Sequence, residues 1–273
     1  MAHKTLIDGT AYKIKGGRDL IGGTGYSEKK GRVLVNGTGY DIPFFSGIPI
    51  GTLPVGSVVK IGVNVKFYDF LVVNQGVPSN SSSYDSSCDG TWMLMKNIYE
   101  KRAWNSANIN EYESSDIHAY LNNTFLNLFD SNIKDAIKQV KIPFRKGGGG
   151  GTDQSGANGL STKIFLLSGY EVGWTTSNNR YFPQDGAKLS YFESGTGTSA
   201  NNKRIAELNG SVDIWWLRSP CATKTRSVWD VYARGQYGDF DDALFSTGIR
   251  PAFILPGTFP MIQNPDGTYT PAE

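Results

Sequence analysis

The sequence predicts an α+β fold, rich in loops and short strands, and three observations carry that prediction. Glycine makes up 33 of 273 residues and charged residues only 19 %, where typical domains hold ~7 % and ~25 %. That balance suits tight turns and packed sheets and excludes a helical bundle. Apolar residues come mostly in short runs separated by Gly, Ser, Asn and Asp clusters, the punctuation of strands and loops. Helical spacing of apolar residues is clear only between residues 115 and 143.

The first 44 residues repeat with a period of 14. Leu6, Leu20 and Leu34 align, as do Gly9, Gly23 and Gly37, then Thr10, Thr24 and Thr38, then Tyr12, Tyr26 and Tyr40. Each copy reads as two short strands about a tight turn. A unit this short cannot bury its own apolar face, so residues 1–44 are expected to serve assembly or attachment. Residues 45–57, rich in Pro and Gly, read as a connector, 58–257 as the main domain and 258–273 as a tail.

Within the main domain, Val58 to Val73 predicts two strands with a turn near Gly62-Val63-Asn64. Pro78 to Gly90 reads as a surface loop and Thr91 to Ile98 as a buried strand. Ser115 to Asp130 predicts a helix capped by Ser114 or Ser115, with Ile117, Tyr120, Leu121, Phe125 and Leu128 along one face. A second helix, capped by Asp130 or Ser131, carries Ile133, Ile137 and Val140 and ends at Pro143. Gly147 to Gly151 reads as a flexible loop, Lys163 to Leu167 as a strand, Asn178 to Asn202 as a polar loop and Ile205 to Leu208 as a helical turn. Ile214 to Leu217 and Ile249 to Leu255 are the last strand signals.

Several function classes fall away. A net charge of +2 argues against long-range electrostatic binding of nucleic acid. No apolar run reaches the ~18 residues of a membrane helix, and the start lacks the apolar core of a secretory signal. Cys88 and Cys221 read as two buried free thiols. His118, alone on its helix, reads as structural, and no spacing suits a metal or cofactor. The acidic run Asp239, Asp241 and Asp242 is broken by Phe240 and Ala243 and lacks the ligand pattern of a calcium loop. The glycine run lacks the Lys-Ser or Lys-Thr pair of a phosphate cradle. No catalytic constellation is found, and the chain is read as a non-enzyme.

The most specific stretch is framed by Trp215-Trp216-Leu217-Arg218-Ser219-Pro220 and Gly248-Ile249-Arg250-Pro251-Ala252-Phe253. These motifs resemble an uncharacterised Firmicutes and phage family of C-type-lectin-like domains, grouped with the formylglycine-generating-enzyme fold. Trp104 to Phe129, Lys163 to Val172 and Val58 to Val73 also look like that family, and the 14-residue repeat is similar to N-terminal segments of phage tail proteins. The resemblance implies two helices on a small twisted antiparallel sheet, with long loops, after a short β-repeat segment. It implies a receptor-binding protein of a phage or tail-like particle. Such a protein would be made without a signal peptide and carried as a homotrimer among other tail or baseplate subunits. Its partner would be a bacterial cell-surface protein or glycan, with no membrane insertion. The ligand-binding loop would span 221–247, a segment that retroelements diversify in some relatives. Its expected contacts are Thr223, Ser227, Trp229, Asp230, Tyr232, Arg234, Gln236, Tyr237, Asp239, Phe240, Asp241, Asp242 and Phe245, with Ser246 beside them. Tyr, Trp and Arg are the residues of binding hot spots. Arg218 and Arg250 read as structural ties from loop carbonyls or acids to the core. Two alternatives stay open: a structural tail or surface component, and more remotely a formylglycine-type oxidase. The oxidase needs a close cysteine pair and finds only Cys88 and Cys221. The calcium-lectin motifs are missing.

Overall fold

The structure, a computed structural model, describes residues 47–272 except 80 and 239, and before them the strand backbones alone. The chain divides into two compact units, residues 1–46 and 47–273.

In the first unit each repeat forms one antiparallel hairpin: Lys4–Ile7 with Thr10–Lys13, Asp19–Ile21 with Thr24–Tyr26, and Lys30–Val35 with Thr38–Pro43. The two-strand reading of the repeat holds. Gly9, Gly23 and Gly37 lie outside the described residues.

The second unit is mixed α and β, mostly sheet with few helices. One sheet has seven strands in the order Ala252–Leu255, Thr91–Met95, Lys66–Gln75, Val58–Val63, Tyr269–Pro271, Pro260–Gln263 and Ile48–Pro49. Its pairings are antiparallel except where Tyr269 meets Val59. A second sheet has five strands in the order Glu100–Ala103, Ser246–Ile249, Trp215–Pro220, Ser227–Val231 and Asp241–Asp242. The residues read as connector and tail thus supply the last three strands at one end of the main sheet, with Ile48–Pro49 at its edge.

The three neighbouring strands at one end of the large sheet are buried on both faces, and the two-residue period of a strand sorts their side chains into two cores. Phe70, Val72, Met93, Met95, Phe253 and Leu255 enter one. Leu71, Val73, Trp92, Leu94, Ala252 and Ile254 enter the other. The first core is covered by helix α1, Asp116–Asn123, and helix α2, Ser131–Ala136, through Ile117, Leu121 and Ile133. The second is covered by the long, mostly irregular stretch from Ile164 to Ala206, through Phe165, Leu167, Val172, Trp174, Phe182, Leu189 and Phe192; its part read as a polar loop ends in a short helix, Thr198–Asn202.

Ser115 caps α1 by accepting the His118 amide at 3.2 Å, as its position predicts. The helix is shorter than its apolar stripe. It stops at Asn123, and Phe125–Leu128 forms a separate 3-10 turn; the Asn-Asn-Thr sequence at the break is a weak helix former. α2 also ends early, at Ala136. Val140 lies not on its stripe but in a strand, Val140–Ile142, paired with Leu160–Thr162. The β-branched Val140 and Ile142 alternate with Lys141 and bury on one side, which a strand satisfies as well as a helix would.

Three further expectations are corrected. Ile164 to Leu167 is buried but forms no strand: Phe165 exchanges two backbone hydrogen bonds with Ala252, and the Leu167 carbonyl accepts the Arg218 amide. Ile205 to Leu208 is no helical turn, since Glu207–Leu208 pairs with Ser211–Val212. The glycine run is packed, with Gly148 and Gly149 buried. A Cβ on Gly149 would lie 1.7 Å from the Lys224 carbonyl and 2.4 Å from that of Cys221, so only glycine allows this approach of backbone to backbone.

Candidate functional site

The framed segment begins on a rigid base. All six residues of Trp215–Pro220 are buried. Trp216 points into the first core while Trp215 and Leu217 point into the second. Arg218 is the anchor. Its Nη1 and Nη2 donate to the Glu171 carboxylate at 2.6 and 2.7 Å, and its remaining bonds reach the carbonyls of Pro143, Leu166 and Asp185. Glu171 also accepts the Ser168 amide at 3.0 Å and the Tyr84 hydroxyl at 3.0 Å. Every donor of this guanidinium is used, which is what a fully buried charge requires. Ser219 accepts the Gly169 amide and donates to Asp185 Oδ2 at 2.6 Å. Asp185 Oδ1 has no partner among the described residues, and burial pushes its carboxyl up to about 7.

From this base the chain runs out along Ser227–Val231 and returns through Tyr237 to Asp241–Asp242. The excursion closes on itself: Tyr232 N donates to Gln236 O at 2.7 Å, Gly235 N to Tyr232 O at 2.7 Å, and Val231 bridges Tyr237. Gly238 N donates to the Asp230 carbonyl at 3.2 Å. A Cβ on Gly238 would lie 2.0 Å from Asp230 Oδ1, so glycine is required for the return strand to lie this close. The result is a cleft of about 310 Å³ lined by Ile214, Asp230, Tyr232, Gln236, Tyr237 and Asp241. Its chemistry is acidic and aromatic. Burial, then the neighbouring Asp242, raises the Asp241 carboxyl above its ordinary value.

Five of the expected contacts therefore meet in one cleft: Asp230, Tyr232, Gln236, Tyr237 and Asp241. Tyr232, 49 % exposed, is the most accessible aromatic among them. Arg234 and Phe245 are exposed and Asp242 is half-buried, all outside the cleft lining. Asp239 lies outside the described residues.

Trp229 is a correction. It is 1 % exposed, stacks on Phe182 with ring centres 4.1 Å apart, and donates Nε1 to the Tyr181 carbonyl at 3.1 Å. It forms part of the base and offers no contact face to a ligand. Phe240, half-buried, packs edge-on against it with ring centres 5.1 Å apart. Asp230, 2 % exposed, lines the cleft from a largely covered position. Thr223 and Ser227 stand apart, where residues 221–227 pack against the glycine run: Thr223 N donates to Gly149 O at 2.8 Å.

Two structural participants escape a reading of the sequence. Asn110 donates to the carbonyls of Lys224 and Ser227 and accepts the Gly149 amide, tying three segments together. Ile214 supplies the apolar wall of the cleft. Asn110 carries no motif; Ile214 was read only as the start of a strand. His118 contacts Thr162 and the Tyr112 ring, a structural setting. Cys88 and Cys221 are buried free thiols, which burial pushes up to about 12 and about 11. Among the described residues no group of three His, Cys, Asp or Glu side chains could hold a metal, and no helix is long and apolar enough to cross a membrane.

Compared with known proteins, residues 89–257 match the family described as Domain of unknown function (DUF6273). This span is more than half of the chain. No curated protein matches, and no solved structure does.

Proposed function

For this chain, which belongs to the DUF6273 family, we propose a role as an adhesin: a receptor-binding protein of a phage or phage-tail-like particle. Its main domain is read as C-type-lectin-like, with two helices on one side of the sheet and a long looped stretch on the other. The observation that carries the reading is the loop cleft itself. Exposed and half-buried side chains, Tyr232, Arg234, Gln236, Tyr237 and Asp241, ride on a base whose Trp215, Trp216 and Trp229 are all buried. A surface of this kind can change its tips without disturbing the core, as a paratope does, and that would suit retroelement diversification. The ligand is proposed to be a bacterial surface glycan or protein. The N-terminal hairpins would set a homotrimer and dock on tail or baseplate subunits, so that weak single sites gain avidity. Protonated, buried thiols support a non-enzymatic role over thiol-dependent oxidation.

The exposed Leu244 and Phe245 favour a second reading, in which this edge packs against another subunit of the particle. Binding of the labelled full-length chain to a panel of bacterial strains separates the two. Strain-selective binding, lost in a Tyr232→Ala, Arg234→Ala, Gln236→Ala triple variant that still folds, is the expected result. Undiminished binding by that variant removes the loop assignment. Absence of binding to every strain moves the weight to the subunit-packing role.

A further inference from the structure

Arg250 sits where the chain passes from Ser246–Ile249 in the five-stranded sheet to Ala252–Leu255 in the seven-stranded sheet. It is 1 % exposed. Nε donates to the Met95 carbonyl at 2.8 Å, and the guanidinium carbon lies 4.8 Å from the centre of the Trp215 ring. Those contacts pin the crossover but leave the outer edge of the fork unused. Among the described residues neither Nη1, itself buried, nor Nη2 has a hydrogen-bond partner. Among the described residues no carboxylate pairs with Arg250.

This arginine lines a cleft of about 390 Å³, shared with Lys96, Asn97, Tyr191, Lys203 and Glu207. A residue so buried that still lines a surface cleft lies at its floor. Lys203 stands over the Tyr191 ring, with Nζ 4.6 Å from the ring centre, and makes no ion pair among the described residues. Lys96 reaches Asp69 only at 3.5 Å. Three cations thus face one lining carboxylate, Glu207. A buried guanidinium without a counter-charge is costly, and a planar fork with an open edge matches an oxyanion in geometry as well as charge.

We propose that this cleft is an oxyanion site, with Arg250 as the floor contact and Lys203 and Lys96 at the rim, for the carboxylate or phosphate group of a small ligand. The site shares no lining residue with the loop cleft, so either assignment can fail without the other.

The test is titration of the full-length chain with sodium phosphate or sodium acetate, against sodium chloride at matched ionic strength, followed by calorimetry and thermal melting. The expected result is one saturable site per chain for an oxyanion and none for chloride. Binding stronger for phosphate assigns a phosphate-bearing ligand; binding stronger for acetate assigns a carboxylate. Because Arg250→Gln also alters the Met95 hydrogen bond and the Trp215 contact at the crossover, the Lys96→Gln, Lys203→Gln double variant, changed only at the rim, carries the comparison. Its affinity should fall about ten-fold. Saturable binding that the double variant leaves unchanged, or no oxyanion binding by the folded wild-type chain, overturns the proposal.

Discussion

Arg218 and Arg250 invite comparison because they stand in the two framing motifs, each close to a proline, each almost completely buried. Arg218 makes five hydrogen bonds, two of them to Glu171. Arg250 makes one, to the Met95 carbonyl. The sequence expectation that both tie the core to loop carbonyls or acids is met in full by Arg218 and only in its smallest part by Arg250. The surroundings explain the difference. Arg218 lies under the long stretch from Ile164 to Ala206, which folds over it and brings Glu171 and the Asp185 carbonyl. Arg250 lies at a crossover between sheets and opens to a cleft edged with lysines. A buried charge with every donor used is a structural joint. A buried charge with a donor left over is a joint whose bonding is incomplete.

The sharpest way to break this comparison is to remove each arginine in turn. Arg218→Met leaves Glu171 as an unpaired buried carboxylate, and urea denaturation should show a loss of about 3–5 kcal/mol. Arg250→Met removes a charge that has no counter-charge, at the cost of one hydrogen bond and a ring contact, and should change stability by no more than ~1 kcal/mol. Equal losses for the two variants would show that both arginines are structural joints of the same kind.

Gly238→Ala comes next, with an expected loss of about 1–3 kcal/mol. The added methyl meets the Asp230 carboxylate, so the same variant should also weaken ligand binding at the loop cleft while leaving the Arg250 cleft untouched.

Asp185, beside Arg218, gives a pH-dependent difference. Burial raises its carboxyl to about 7 in the folded chain, while an unfolded aspartate ionises near ~4. Its contribution is therefore fully present below about pH 4 and is lost as the pH rises through 7, with a slope of up to about 1.4 kcal/mol per pH unit. Asp185→Asn should remove that slope and leave the variant the more stable of the two above pH 7; parallel stability curves from pH 4 to 8 would contradict it. The smallest effect belongs to Tyr232→Ala. Tyr232 is about half exposed, and its loss should alter stability by less than ~0.5 kcal/mol while reducing binding to cells.

Much of the local structure was legible in the residues. The 14-residue period gave three hairpins, the Val58 to Val73 alternation gave two strands, and Ser115 capped the helix it precedes. Five residues of the 221–247 segment share one cleft, with Ile214 from outside it as a wall. What failed did so for identifiable reasons. Trp229 has the chemistry of a contact residue, but the strand period turns it inward onto Phe182. Val140 matches a helical stripe, yet it pairs with Thr162 across a strand. Five successive glycines look flexible in isolation, and here Gly149 is held between carbonyls that lie more than 70 positions further along the chain.

Sequence periodicity and residue chemistry determined which segments pair locally, which helix starts where, and where aromatic and polar side chains concentrate, because these depend on neighbours a few bonds away. Tertiary structure decided which face each strand residue serves, which glycines touch distant backbone, and which buried arginine finds a carboxylate. Those outcomes depend on groups that approach only after the chain has closed: Glu171 lies 47 positions from Arg218, and among the described residues no such acid reaches Arg250.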